Sequence, residues 1–477
     1  MSKAIPDAIV AAFGQLVRQG HEGPLLVSPG QEPIRVGEID ALARAAERAL
    51  AGLRSIETPM GLVAPNGPGF LAGFLALRRQ GAITLLLDAQ APPSELRRVA
   101  ATLGAGALLV CSEAWPHGPA AFTCEALTPM VAPGYPAGTT VVKVTSGSTG
   151  EPRGVAVSSE ALIADDAALA TTMGLVPAER IVAALPMSHS YGFSSVVLPA
   201  LVRGSTLVLP APTGPLSALA AAHEAGATFF PTVPAYLQAL LKISRPPAWP
   251  STLRRVVSAG APLSPDTAVS FRKTYGLPVH TFYGASECGG ICYDREGGAG
   301  ERGSVGPPVD GVRVTLDSSG RKGEGVVSVA SPAVALGYHD RSETRLFGGR
   351  FETSDVAGWA GSELRLLRRI GSVINVRGRN VDPSEIERVV STLPGVLEVV
   401  AIGVPDPGAG EHLLRVVIAC GTRPLAYADV LAHCRAQLPD HKVPRSIFVV
   451  AEIPRTARGK VDRKALLVRD SENRLDG

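Results

Sequence analysis

The residues best equipped for chemistry lie at 141–154, Val-Val-Lys-Val-Thr-Ser-Gly-Ser-Thr-Gly-Glu-Pro-Arg-Gly. An apolar run opens there into Thr145, Ser146, Gly147, Ser148, Thr149 and Gly150. Glycines let a backbone approach phosphate oxygens closely, and hydroxyls with backbone N–H groups surround the charge. The segment is not a GxxxxGK[ST] loop, because that spacing is absent. A flexible Gly/Ser turn has the same composition. This one, however, sits between a buried strand and a second apolar segment, Val155–Ser158, which favours phosphate binding.

Such a loop needs a rigid body to hold it. A chain of 477 residues is long enough for about two to four domains. With 45% hydrophobic and 19% charged residues it is no disordered polyelectrolyte. Its 46 basic and 43 acidic residues give a net charge of +3, too balanced for the basic stripe of a nucleic-acid binder. The first residues read as an amphipathic helix rather than a signal peptide, since Asp7 interrupts the apolar stretch and Arg18, His21 and Glu22 follow it. No stretch reaches the roughly 18 apolar residues of a membrane span. The cysteines at 111, 124, 288, 292, 420 and 434 form no CxxC pair, and free thiols in a cytoplasmic protein are expected. Cys288 and Cys292 would share one face of a helix, but no nearby Cys or His spacing completes a zinc site.

Residues 77–89 and 101–112 each read as a helix end, a glycine and a buried strand, and unalternating apolar runs suit strands covered on both faces. An α/β fold follows: a large layered N-terminal body of sheets flanked by helices, with a small β region from about residue 310. Asp382, Pro383 and Glu385 mark a helix start, with Ile386, Val389, Val390 and Leu393 as its apolar stripe. Strands and a helix beyond it complete a C-terminal α+β domain. The expected division is 1–370 and 371–477.

Six segments in order resemble the AMP-forming acyl-adenylate enzymes, a family of acyl-CoA ligases, adenylation domains and firefly-type luciferases. They are TSGSTGEPRGV (145–155), LPMSHSYG (185–192), SAGAPL (258–263), FYGASE (282–287), FETSD (351–355) and PRTARGKVDRKAL (454–466). The resemblance spans essentially the whole chain. It implies ATP-dependent conversion of a carboxylate to acyl-AMP with pyrophosphate release, then transfer to a thiol, with a C-terminal domain that is mobile. It assigns Lys460 as the cation bridging carboxylate and α-phosphate, and Glu287 as the Mg2+ ligand. Residues 145–150 take phosphate, with Gly260, Ala261, Tyr283, Gly284 and Ser286 around the nucleotide and Asp355 and Arg369 at the ribose. His189, Ser190, Tyr191, Gly192, Phe193, Cys288 and Gly289 border the acyl pocket, and Gly371 is the hinge. Taken singly, His189 equally suits a packed neutral histidine and Tyr283 a core tyrosine.

The chain departs from the family pattern at Arg153 for Lys, Ser286 for Thr, Ser354 for Gly, Arg368 for Gly and Gly371 for Asp or Lys. Ser190 stands where amino-acid activators carry Asp, which argues against a free α-amino acid. The pocket segments MSHSYGFSS and GASECGG hold no Arg or Lys, and a second carboxylate would need a cation there. A neutral monocarboxylic acid, aliphatic or aromatic, is expected. No carrier domain follows Lys460, so the acceptor is expected from outside: CoA, or the phosphopantetheine thiol of a separate carrier protein. A luciferase-like oxygenase or a non-catalytic nucleotide binder are the readings of a different class.

Overall fold

The computed structural model describes residues 7–51, 58–112, 121–130, 134–146, 152–211, 214, 216–318, 323–339, 345–370, 374–376, 379–381, 383–405, 412–421, 425–438, 442–456 and 461–467. The chain divides into two compact units, Met1–Thr353 with Ala357–Leu366, and Ser354–Val356 with Leu367–Gly477.

Two large sheets build the first unit. One runs, edge to edge, through Gly289–Tyr293, Val279–Ala285, Arg255–Ser258, Phe229–Thr232, Arg180–Val182, Thr206–Val208, Pro24–Val27 and Ile34–Arg35. Its inner strands are parallel, and both edge pairings are antiparallel. The other runs through Gly337–Tyr338, Pro152–Val157, Val141–Ser146, Thr84–Leu87, Met60–Val63, Ala107–Cys111 and Phe122–Ala126. The four from Val141–Ser146 to Ala107–Cys111 are parallel. These parallel strands are buried almost throughout, as crossover helices on both faces require. The expected helix–Gly–strand units are present: helix Pro68–Arg79 and Gly81 at φ +73° precede Thr84–Leu87, and helix Pro93–Thr102 and Gly104 at φ +76° precede Ala107–Cys111.

The main core draws Leu62, Leu86 and Val155 from one sheet and Leu26, Ile181 and Val257 from the other, with Phe70, Phe74 and Leu201 contributed by helices. The small β region after residue 310 is a sheet containing the antiparallel pair Arg313–Ser318 and Glu324–Ala330. Cys288 and Cys292 lie in a turn and a strand rather than on a helix, and among the described residues no group of three metal-ligating side chains is found. No helix among the described residues is long and apolar enough to cross a membrane.

In the second unit, helix Pro383–Ser391 buries Ile386, Val389 and Val390. It packs on a sheet of Val396–Pro405, His412–Cys420 and Ser446–Val450, the first pair antiparallel and the second parallel. This matches the expected α+β pattern. Asp382, the expected cap, lies outside the described residues.

The N-terminal helix Ala8–Arg18 is tied into the body through its cap. Asp7 Oδ1 accepts from the Ile9 and Val10 amides at 3.0 and 3.1 Å, a standard N-cap arrangement. Asp7 Oδ2 accepts from Arg78 Nε and Nη2 at 3.0 and 2.8 Å, and from the Ser159 hydroxyl. Both charged side chains are nearly sealed from solvent, at 5% and 7% exposure. Removing one partner of such a pair leaves the other buried and uncompensated. Asp7→Ala should therefore destabilise the fold by about 3–5 kcal/mol, measured as a lower midpoint in urea unfolding.

Candidate active site

The segments singled out in the first unit share a topological position. Thr145 and Ser146 end the strand Val141–Ser146, the 185–192 loop follows Arg180–Val182, Gly260 and Ala261 follow Arg255–Ser258, and Ser286 and Glu287 follow Val279–Ala285. These are the carboxyl ends of parallel strands, where open α/β sheets bind ligands. Thr145 Oγ1 donates to the Arg153 carbonyl at 3.4 Å across the antiparallel pair that closes at Ser146 and Pro152. Gly147, Ser148, Thr149 and Gly150 lie outside the described residues.

The loop before residue 190 is built by backbone constraints. Asn66, just past strand Met60–Val63, donates to the carbonyls of Ala183 and Leu185 at 3.1 and 2.7 Å and accepts from the Met187 amide at 2.8 Å. His189 caps the following helix, its Nδ1 3.4 Å from the Tyr191 amide. The helix runs Ser190–Gly192, then a π-helical stretch Phe193–Val197, then Leu198–Arg203. Such π segments interrupt the regular ladder and frequently mark functional sites. A Cβ on Gly192 would lie 2.1 Å from the Pro186 carbonyl oxygen, so only glycine fits there. Tyr191 is buried and donates from its hydroxyl to the Val257 carbonyl at 3.0 Å, while Phe193 packs edge-on against Phe74 with ring centroids 5.2 Å apart.

Two of the motifs meet directly. Ser190 Oγ and Ser286 Oγ are 2.6 Å apart. Tyr191 also lies against Phe282, with centroids 5.7 Å apart. Glu287 is half-buried, and its Oε1 accepts from the Tyr338 hydroxyl at 2.8 Å. Burial, reinforced by the neighbouring Glu287 charge, raises the Tyr338 phenol far above its ordinary value, so it remains a donor. The Arg153 guanidinium lies 4.1 Å from the centroid of the Tyr338 ring, a cation–π contact. Tyr338 reaches this place because Gly337–Tyr338 pairs antiparallel with Val155 and Ala156.

The turn after Glu287 is fixed by Asp165 on helix Ser159–Met173. Asp165 Oδ1 accepts from the Gly290 amide and Oδ2 from the Ser194 hydroxyl, each at 2.9 Å. Gly289 has φ +69°, and a Cβ there would sit 2.3 Å from Asp165 Oδ1. Cys288 is fully buried, and burial holds its thiol well above the ordinary range, which leaves it neutral. The pocket segments carry no cation of their own, but the strand beside them does: the Lys143 side chain is buried and interacts electrostatically with Asp165, Cys288 and Glu287. Burial lowers the Lys143 ammonium, and those neighbours offset part of the shift. Sequence reasoning missed Lys143, Asn66, Asp165 and Tyr338. A lone lysine in the apolar run Val-Val-Lys-Val was the available signal.

Gly260 has φ +82° and is exposed with Ala261, whereas Tyr283 is 9% exposed and packs in the main core. Gly284 approaches the Gly289 carbonyl so closely that a Cβ would lie 2.8 Å from it. In the second unit, Asp355 and Arg369 pair with each other, Nε to Oδ1 at 3.7 Å, and the Ser354 carbonyl accepts from the Ile370 amide at 2.5 Å. Gly371 and Lys460 lie outside the described residues. The described flanks of the Lys460 loop converge: Arg455 and Val461 form an antiparallel bridge, and the Asp462 amide donates to the Pro454 carbonyl at 2.8 Å.

Comparison with known proteins agrees with this layout. Residues 37–339 match the model of the AMP-binding enzyme family, and residues 385–460 match that of the AMP-binding enzyme C-terminal domain. The chain belongs to the AMP-binding enzyme family. Among its relatives, a feruloyl-CoA synthase of Amycolatopsis is 30% identical over 88% of this chain and 91% of the relative. A sulfoacetate–CoA ligase of Cupriavidus necator is 27% identical over 97% of both chains. The ATP-bound MatB of Rhodopseudomonas palustris shares the fold, with a TM-score of 0.79 at 24% identity over 96% of this chain and 98% of that one. This family member is an ATP-dependent, AMP-forming acid–thiol ligase with the expected α/β body and smaller C-terminal unit.

Asn66 holds the 183–187 backbone without touching any assigned substrate position. Asn66→Ala should lower kcat/KM by about 100-fold, the cost of a misplacement near 1 Å. Steady-state kinetics with the preferred acid would measure it, and an unchanged value would deny the positioning role.

Proposed function

We propose that this enzyme activates a neutral monocarboxylic acid, aliphatic or aromatic, as acyl-AMP and passes the acyl group to CoA. The observation that carries this reading is the 2.6 Å contact between Ser190 and Ser286, which joins the loop assigned to the acyl group to the turn carrying Glu287. Ser190 in place of an aspartate supports an acid without an α-ammonium group. Relatives named as CoA ligases support CoA as the acceptor. Six free cysteines fit a reducing compartment, so the cytoplasm belongs to this reading.

The attacking group is already a carboxylate anion, so no general base is required. The protein must bring it to a negatively charged α-phosphate, which calls for positioning and positive charge. Lys460 supplies that charge to the carboxylate and α-phosphate oxygens. Residues 145–150 cradle the phosphates, Gly260, Ala261 and Tyr283 border the adenine, and Asp355 and Arg369 take the ribose. His189, Ser190, Tyr191, Gly192, Phe193, Cys288 and Gly289 surround the acyl group. Residues 371–477 form the domain that carries Lys460, with Gly371 as its hinge, since glycine absorbs backbone rotation readily.

Glu287 fits a magnesium ion, which takes one or two carboxylates together with phosphate oxygens. It is half-buried and fixed through one oxygen by Tyr338. The bound ion would neutralise phosphate charge. Tyr338→Phe removes that hydrogen bond and should raise the Mg2+ concentration for half-maximal rate by about 10-fold.

Pyrophosphate release from ATP and Mg2+ should depend on one class of acid in a panel of fatty, aryl and amino acids, with acyl-CoA formed when CoA is present. Acid-dependent release without acyl-CoA would assign the acceptor to a carrier protein, and silence across the panel would overturn the reading. Lys460→Ala should cripple adenylation yet leave ATP affinity within a few-fold of the parent. An unchanged adenylation rate would remove Lys460 from the mechanism.

A further inference from the structure

Lys143 is a buried titratable group with no part in the mechanism above. It is 3% exposed on the strand Val141–Ser146, two residues before Thr145. Successive side chains on a strand point to opposite faces. Val142 and Val144 pack on one side with Leu85, Leu87 and Leu103. Val141 packs on the other side, in the core that holds Tyr191, Phe193 and Cys288. Lys143 shares the face of Val141, toward the residues assigned to the acyl group. Among the described residues its ammonium has no hydrogen-bond or ion-pair partner, although Asp165, Cys288 and Glu287 are near enough to act on it electrostatically.

Asp165 neutralises the charge without occupying the donors. Its two oxygens are engaged by the Gly290 amide and the Ser194 hydroxyl. An ammonium carries three N–H donors, and an acyl tail that covers them without meeting them is costly. Three kinds of acyl tail can be compared on this ground. A hydrocarbon tail would leave the donors unmet. A second carboxylate would meet them, but would add a third anion to Asp165 and Glu287, which already act on the ammonium. An uncharged oxygen meets a donor and adds no charge.

We propose that Lys143 is a specificity-determining residue of the acyl pocket, and that the preferred acid carries an uncharged oxygen acceptor (a carbonyl, hydroxyl or ether oxygen) that takes a hydrogen bond from the Lys143 ammonium. This rests on the assignment of residues 189–193 and 288–289 to the acyl group, and it narrows the neutral acid to an oxygenated one.

The test uses matched acids: benzoate, para-hydroxybenzoate and terephthalate, and hexanoate, its omega-hydroxy acid and adipate. Acid-dependent AMP formation is measured for the wild type, Lys143→Met and Lys143→Gln. The wild type should favour the uncharged oxygenated member of at least one set by roughly 10- to 100-fold in kcat/KM, the range of one hydrogen bond to a charged group. Lys143→Met should bring that ratio close to one, with a larger loss for the oxygenated acid than for the hydrocarbon acid. Lys143→Gln keeps an amide donor and should retain part of the preference. A wild-type preference for the hydrocarbon or the dicarboxylate would overturn the proposal, and this ranking needs no variant to fold. An equal loss across all members of a set would make Lys143 purely structural and overturn it as well. Activity with no acid at all would instead overturn the ligase reading beneath it.

Discussion

A strand buried on both faces leaves polar side chains little room except at its ends. The two main sheets of the first unit consist largely of such strands, with Leu62, Leu85, Leu86, Leu108, Leu109, Val256 and Val257 nearly sealed from solvent. Hydroxyls, amides and carboxylates therefore gather where the strands stop. Thr145, Asn66, His189, Ser190, Ser286 and Glu287 all lie in or just beyond such ends. Charged reactants brought to the rim of such a dry, rigid body would meet donors fixed in place, which lose little reorganisation energy.

Charges do enter the interior, and how each is met separates scaffold from site. Asp7 and Arg78 meet directly at 2.8 Å, and Asp166 meets Arg203 at 2.5 Å. Burial still pushes the Asp166 carboxyl up to about 6 despite its arginine, which gives the cost of placing an anion there. These pairs join the N-terminal segment, the helix Ser159–Met173 and the helix Leu198–Arg203 around the core. Lys143 and Asp165 differ. Their charges act on each other, while the hydrogen bonds of Asp165 go to Ser194 and Gly290. A charge balanced at a distance keeps its donors available, whereas one closed into a bidentate pair does not.

The sequence made the layers legible because apolar runs, glycine stops and helix starts are local signals. Gly81 and Gly104 sit between helix and strand as their positions suggested, and the Pro383 helix buries the stripe read from Ile386, Val389 and Val390. The motifs were legible for the same reason, as short contiguous strings. Relations between strings were not. Nothing local to Asn66 indicates that it holds a loop more than a hundred residues away, and nothing in the 285–290 turn indicates that Asp165 reaches it from a helix. Lys143 escaped because it lies on the strand Val141–Ser146, outside the strings that resemble the pocket loops.

The arginine at 153 illustrates how a departure from a family pattern acquires meaning in three dimensions. Read along the chain, Arg for Lys conserves charge and nothing more. In the fold its guanidinium lies over the Tyr338 ring, and the hydroxyl of that ring donates to Glu287. A planar, weakly hydrated guanidinium stacks on an aromatic face better than a compact ammonium does. The antiparallel pairing of Tyr338 with Val155, and the His339 amide donating to the Gly154 carbonyl at 2.9 Å, fix the ring over residue 153. The strand Pro152–Val157 thus orients the carboxylate assigned to the metal. A lysine at 153 would keep the charge and weaken the stacking, so the ring would hold Glu287 less firmly. The substitution is therefore conservative in charge and not in geometry.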